Sequence, residues 1–145
     1  MFIDDDDILN NPYVIESYLN IINNKKQNEI IGFIAAQRLN GNNIEFTGLT
    51  GSIFNNNIIK FFNISFSSKF KYGEDILFFM QYFFYIDVLK NIYNNNIIIK
   101  EDNSFIAYNY NRNNINSLTK NISNNSILNA INLLNILDEI SLFYS

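Results

Sequence analysis

The chain has 145 residues, a net charge of −4 and a pI near 4.6, with no histidine and no cysteine. A single domain is expected at this length, with 48% hydrophobic and 16% aromatic residues to build its core. The missing residue types exclude disulfides, Cys/His zinc sites, cysteine nucleophiles and a histidine base, so acid–base chemistry would have to run on carboxylates.

The acidic balance and the lack of any basic stripe argue against nucleic acid as a partner. No transmembrane segment is expected: the longest apolar stretch, residues 76–89, is interrupted by Gln81 and Asp87 and falls short of the roughly 18 residues a span requires. Acidic residues stand where a signal peptide would be basic, so the expected compartment is the cytoplasm, including the inner face of a membrane. Mean hydropathy is only −0.04, because asparagine makes up about a fifth of the chain. Asparagine runs such as Asn55-Asn56-Asn57 and Asn94-Asn95-Asn96 fall between apolar stretches, where turns are expected. With Ile, Phe, Tyr and Lys also abundant, the bias reads as one towards A/T-rich codons.

In chain order, Met1-Phe2-Ile3 reads as the end of a buried strand, stopped by Asp4, Asp5, Asp6 and Asp7. Asn11 is expected to cap a helix with Pro12 in its first turn, and Val14, Ile15, Tyr18, Leu19, Ile21 and Ile22 recur at helical spacing up to Asn23-Asn24. Residues 30–36 form an apolar run that predicts a strand. The turn Asn40-Gly41-Asn42-Asn43 and a second strand at 44–46 follow. Residues 50–54 and 58–62 are short elements without a clear period, and Ile64-Ser65-Phe66 alternates as a strand would. Glu74 and Asp75, after Gly73, suit the first turn of a helix running to about Leu89. Residues 97–99 and 105–110 read as strands around a turn at Asp102-Asn103. A final amphipathic helix is expected over 126–142, capped by Ser126. There is no internal repeat.

Three polar islands interrupt this apolar chain: the four aspartates, Gly73-Glu74-Asp75, and Tyr108-Asn109-Tyr110-Asn111-Arg112 with Ser117 and Thr119 downstream. Two carboxylates about 4 Å apart repel by roughly 4 kcal/mol at the effective dielectric of a protein surface. Four in a row therefore persist either as a fully solvated loop or with a cation to neutralise them. Oxygen donors with no thiol or imidazole suit a hard ion, Mg²⁺ or Mn²⁺. Glu74 and Asp75 can equally complement a helix dipole, and Arg112 can be a solvated loop charge.

The order and spacing of the three islands resemble family 2 glycosyltransferases of the GT-A fold. In that family an apolar strand ends in Asp-x-Asp-Asp, a Gly-Glu-Asp opens a helix, and a Tyr-x-Tyr-x-Arg strand precedes Ser-x-Thr. The resemblance covers the chain to about Lys120. It implies an α/β fold, the acceptor-side half of a GT-A domain with a mixed sheet flanked by helices over 1–120, and residues 121–145 packing on it as a C-terminal helix. It also implies transfer of a sugar from a nucleotide-diphosphate donor to a glycan or lipid-linked hydroxyl acceptor. By position, Asp4 and Asp6 match the metal ligands for Mg²⁺ or Mn²⁺, and Asp7, Arg112 and Ser117 match donor-binding residues. Asp75 matches the catalytic base, with Glu74 beside it on the acceptor side.

The chain departs from the family because Met1 falls within the metal-motif strand, leaving no room for the nucleotide-binding half. The chain is therefore expected to be the C-terminal part of an enzyme, with an exposed sheet edge and little autonomous activity. Its alternatives are an inactive remnant or interaction module, and a half-enzyme completed by a separate N-terminal chain.

Overall fold

The computed structural model describes residues 1–3, 8–68, 74–94, 96–110 and 138. The expected helix over 126–142 lies outside them apart from Asp138, which is helical. The elements are β1 (Ile8–Leu9), α1 (Val14–Asn23), β2 (Ile30–Asn40), β3 (Asn43–Phe46), β4 (Ile53–Phe54), α2 (Asn56–Phe61), α3 (Glu74–Ile92) and β5 (Ile97–Tyr110). They form an α/β fold with a mixed sheet flanked by helices.

The sheet is built around β2. Gly32, Phe33, Ile34, Ala35 and Ala36 are consecutive buried residues, so this strand is covered on both faces, as an unbroken apolar run requires. Phe33 and Ala35 face one core with Phe54, Ile58, Phe78, Tyr82 and Ile86, which α2 and α3 help to supply. Ile34 and Ala36 face the other, with Val14 and Tyr18 of α1 and Ala107 and Tyr108 of β5. β5 runs parallel to β2, whereas β3 and β4 pair with β2 antiparallel on its other side and β1 pairs antiparallel with the end of β5. The Gly41-Asn42 loop joins β2 to β3, with Gly41 at φ +63°, as a type II′ hairpin requires of its first central residue.

Several boundaries differ from the sequence reading. Asn11 caps a turn rather than the helix: its Oδ1 accepts from the Tyr13 N–H at 2.8 Å, and α1 begins two residues after Pro12. Phe2 makes a single parallel bridge to Thr50 instead of ending a longer buried strand, and Met1 and Ile3 are exposed. Ile64-Ser65-Phe66 is not a strand. Ile64 is buried at the end of α2, whereas Phe66 stacks on Phe78 and stays exposed. Residues 97–110 are one strand, not two around a turn. Against β2 the register jumps from Ala35↔Glu101 to Gln37↔Ile106, so the polar segment is a bulge within β5. Asp102 closes it by accepting from the N–H and Oγ of Ser104. Partial burial pushes the Asp102 carboxyl up, but Ser104 and the Lys100 ammonium outweigh this and hold it below the ordinary value.

Asparagine accounts for many of the element ends. Asn55 caps α2, its Oδ1 accepting from the Asn57 N–H at 3.0 Å while its Nδ2 donates to the Ile31 carbonyl at 2.9 Å. After α2, Asn63 sits at φ +52°, and the Asn63→Lys60 and Ile64→Ile59 backbone bonds complete a Schellman motif. Asn94, at φ +51°, follows α3 in the same conformation. Asparagine tolerates this region better than other non-glycine residues. No described helix is long and apolar enough to cross a membrane.

Gly51, at φ +81°, lets the backbone pass against the Tyr108 ring; a Cβ there would lie 2.5 Å from Cε1 and 2.6 Å from Cδ1. Gly51→Ala should cost about 2–5 kcal/mol from left-handed strain and overpacking together, lowering Tm by roughly 10 °C. Gly48→Ala, whose Cβ meets nothing within 4 Å, should stay within about 0.5 kcal/mol of the parent. Paired thermal melts followed by circular dichroism would check both, and equal Tm values for the two variants would refute the account of Gly51.

Candidate functional site

Of the residues singled out from the sequence, Glu74 and Asp75 are described; Asp4, Asp6, Asp7, Arg112 and Ser117 lie outside the described residues. Glu74 and Asp75 are the first two residues of α3, where carboxylates complement the helix dipole. Asp75 Oδ1 accepts from the Ile76 N–H at 2.8 Å, and the side chain is exposed. It borders a shallow pocket of about 230 Å³ lined by Gly48, Leu49, Ile76, Phe79 and Met80. Glu74 Oε2 is buried without a hydrogen-bond partner among the described residues.

Described residues that adjoin the polar islands gather near the carboxyl end of β5. Phe2, two residues before Asp4, bridges to Thr50, and the Gly51 N–H donates to the Phe2 carbonyl at 2.8 Å. Thr50 directly follows Gly48 and Leu49, which line the pocket beside Asp75. On the other side of the acidic run, Ile8 pairs with Asn109 and Leu9 with Tyr108, close to where β5 leads into Asn111 and Arg112. β2 and β5 are parallel and end together, with Asn40 opposite Tyr110. The carboxyl ends of parallel strands are where open α/β sheets bind ligands. The packing of Phe2 reinforces this arrangement: its ring meets Phe54, Phe66 and Phe78 edge-to-face at 5.3–5.6 Å, linking the amino-terminal segment to α3.

The loop between β3 and β4 that carries Gly48 and Leu49 is pinned to β2. Thr47 N–H donates to the Ala36 carbonyl at 2.8 Å, the Ala36 N–H donates to Thr47 Oγ1 at 3.1 Å, and Ser52 Oγ lies 2.7 Å from Thr47 Oγ1. Tyr18 on α1 donates its hydroxyl to the Gly51 carbonyl. Burial raises the pKa of that phenol, so it remains a donor throughout the physiological range. The pocket wall is thereby fixed by buried, satisfied polar groups rather than by loop sequence alone.

One cluster was not expected from the sequence. Arg38, near the end of β2, gives Nε and Nη2 to Glu45 Oε2 at 3.2 and 3.0 Å and Nη1 to the Tyr108 hydroxyl at 3.1 Å. Its guanidinium also lies 5.2 Å from the centre of the Tyr110 ring. Asn40 Nδ2 donates to Glu45 Oε1 at 2.7 Å, while Asn40 Oδ1 is buried without a partner among the described residues. Burial works against the Arg38 charge, yet Tyr108 and Glu45 more than compensate and raise its pKa. The two tyrosines of the third island are thus held by an arginine from a strand some seventy residues away. A signal for part of this was present: a two-residue loop at Gly41-Asn42 sets Arg38 directly opposite Glu45.

Among the described residues no group of three or more His, Cys, Asp or Glu side chains is assembled for a metal. Comparison with protein-family models, with curated proteins and with solved structures finds no match to the chain.

Arg38→Met should destabilise the chain by about 1–2 kcal/mol. It removes charge-assisted hydrogen bonds in a half-exposed setting and frees the ends of β2 and β5. Urea midpoints would measure the loss. Unchanged midpoints would mean that the Arg38 fork does not hold the two strand ends together.

Proposed function

We propose that the chain is the acceptor-side part of a GT-A-type glycosyltransferase. In this reading it transfers a sugar from a nucleotide-diphosphate donor to a hydroxyl acceptor. The observation that carries the reading is the convergence at the carboxyl ends of β2 and β5. The described neighbours of the aspartate run, the Glu74-Asp75 pair and the strand leading to Arg112 meet there, although they are far apart in sequence. Carboxylates and an arginine adjoining these segments in sequence would suit a reaction that binds a diphosphate and removes a proton. A purely solvated acidic loop would need no such arrangement.

The donor chemistry fits a hard divalent ion: the chain has no histidine or cysteine, and the aspartate run supplies oxygen donors only. Asp4 and Asp6 would hold Mg²⁺ or Mn²⁺. When bound, the ion supplies charge neutralisation for the departing diphosphate. Asp7, Arg112 and Ser117 would bind the donor, with Arg112 as its cation. Asp75 would take the proton from the acceptor hydroxyl as that oxygen bonds to the anomeric carbon. The bond from the anomeric carbon to the diphosphate oxygen breaks, and its electron pair leaves with the nucleoside diphosphate. Asp75 is suited to the part because its carboxylate is exposed at the mouth of a pocket. Glu74 would stand beside Asp75 on the acceptor side, as the resemblance implies.

Two outcomes are expected. Mn²⁺ titrated into the full chain should bind with a calorimetric signal that weakens markedly in Asp6→Ala, because each lost carboxylate removes several kcal/mol of Coulomb attraction at short range. Identical isotherms for parent and variant would leave the aspartate run as a solvated loop. In an enzyme reconstituted or fused with a nucleotide-binding half, nucleoside diphosphate release from a panel of nucleotide-diphosphate sugars should fall by about 10²–10⁴-fold in Asp75→Asn, with donor affinity retained. Glu74→Gln should cost less. Near-full turnover in Asp75→Asn would sink the base assignment.

A further inference from the structure

The pocket beside Asp75 has a chemistry that the glycosyl-transfer reading alone does not require. Its described side chains are Leu49, Ile76, Phe79 and Met80, and Asp75 is the only ionisable residue among the described ones that line it. Ile76 is 52% exposed, an aliphatic side chain left open to solvent one residue after the carboxylate. α3 itself is apolar around most of its circumference, a pattern that calls for cover on more than the core side. At about 230 Å³ the pocket is smaller than the roughly 300–1,000 Å³ of drug-sized sites, with room for a short hydrocarbon segment.

We propose that the acceptor presented to Asp75 carries a neutral hydrocarbon group next to its reacting hydroxyl, and that this pocket holds that group. The proposal rests on the glycosyl-transfer reading and names the acceptor class for the same site. A sugar ring seated against four apolar side chains would give up hydrogen bonds to water without replacements, which a hydrocarbon does not. The Asp75 charge disfavours an anionic occupant such as a fatty-acid carboxylate, since no cation is among the described residues that line the pocket. Gly48 opens the wall: a Cβ built there meets nothing within 4 Å, and its φ lies outside the left-handed range, so a side chain can be added into free space.

The two methionines, Met1 and Met80, provide a direct test, because only Met80 lines the pocket. The full chain labelled at both methionine methyl groups would be titrated, without donor or metal, with n-octyl β-D-glucopyranoside below its micelle concentration. Methyl β-D-glucopyranoside would serve as the polar control. The octyl glycoside should shift the Met80 methyl resonance saturably while Met1 stays in place, and the methyl glycoside should shift neither. Gly48→Leu fills the space and Ile76→Asn makes it polar; each should weaken the octyl titration about tenfold or more, the loss of roughly 1.4 kcal/mol of binding. Three results would overturn the proposal: equal shifts from the two glycosides, joint movement of Met1 and Met80, or variants that titrate like the parent. None of these would touch the Mn²⁺ or Asp75 turnover results, so failure here is separable from failure of the glycosyl-transfer reading. A saturable Met80 shift with near-full turnover in Asp75→Asn of the reconstituted enzyme would remove the base assignment and leave the hydrocarbon site standing.

Discussion

Gly51 is the point through which the arrangement of this molecule passes. Its N–H donates to Phe2, its carbonyl receives the Tyr18 hydroxyl, and its missing side chain is the space into which the Tyr108 ring fits. Four otherwise separate parts of the chain meet there: the amino-terminal segment, α1, the loop before β4, and β5. A residue with a Cβ would have to displace the ring or the backbone, and both are held by buried contacts on all sides. The positive φ of this residue is thus set by tertiary packing as much as by a local turn.

From that junction the arrangement at the carboxyl ends of β2 and β5 follows. Phe2 is bridged beside Gly51, and Ile8 and Leu9 pair with the end of β5 at Asn109 and Tyr108. Arg38 secures the far side by tying both tyrosines to the β2–β3 hairpin. The opposite end of β2 is secured by Tyr82, whose hydroxyl donates to the Gly32 carbonyl and accepts from the Asn55 N–H at 2.8 Å. Burial pushes that phenol up to about 12, so it stays protonated and keeps both bonds. β2 is therefore anchored near both ends by aromatic hydroxyls.

Asparagine, the most conspicuous feature of the composition, has a physical role here whatever its genomic origin. Asn55, Asn63 and Asn94 terminate helices by side-chain capping or by adopting left-handed backbone, and Asn40 and Asn43 close the hairpin. In a chain with only five glycines and one proline, asparagine takes over much of the work of ending elements. The polar content it adds is concentrated at turns and caps, which is why a chain of near-zero mean hydropathy still builds two continuous cores.

Local pattern was enough to determine much of this. Residues 30–36 read correctly as a strand because five consecutive buried positions leave no polar face, and Glu74-Asp75 marked the start of α3 because carboxylates favour a helix N-terminus. The Asn40-Gly41 turn marked the hairpin because glycine alone readily takes its φ. Tertiary structure decided the rest. Asp102-Asn103 looks like a hairpin turn in sequence, but β2 holds both flanks in parallel register and turns it into a bulge. Ile64-Ser65-Phe66 alternates like a strand, yet no described strand pairs with it; Ile64 is buried at the end of α2 while Phe66 lies exposed on the Phe78 ring. Arg38 drew no attention because its partners at Tyr108 and Tyr110 are brought to it only by parallel pairing across some seventy residues, which no local period encodes. The pocket at Asp75 is of the same kind: Gly48 and Leu49 are remote from α3 in sequence, and only the packing of the β3–β4 loop on β2 brings them to it.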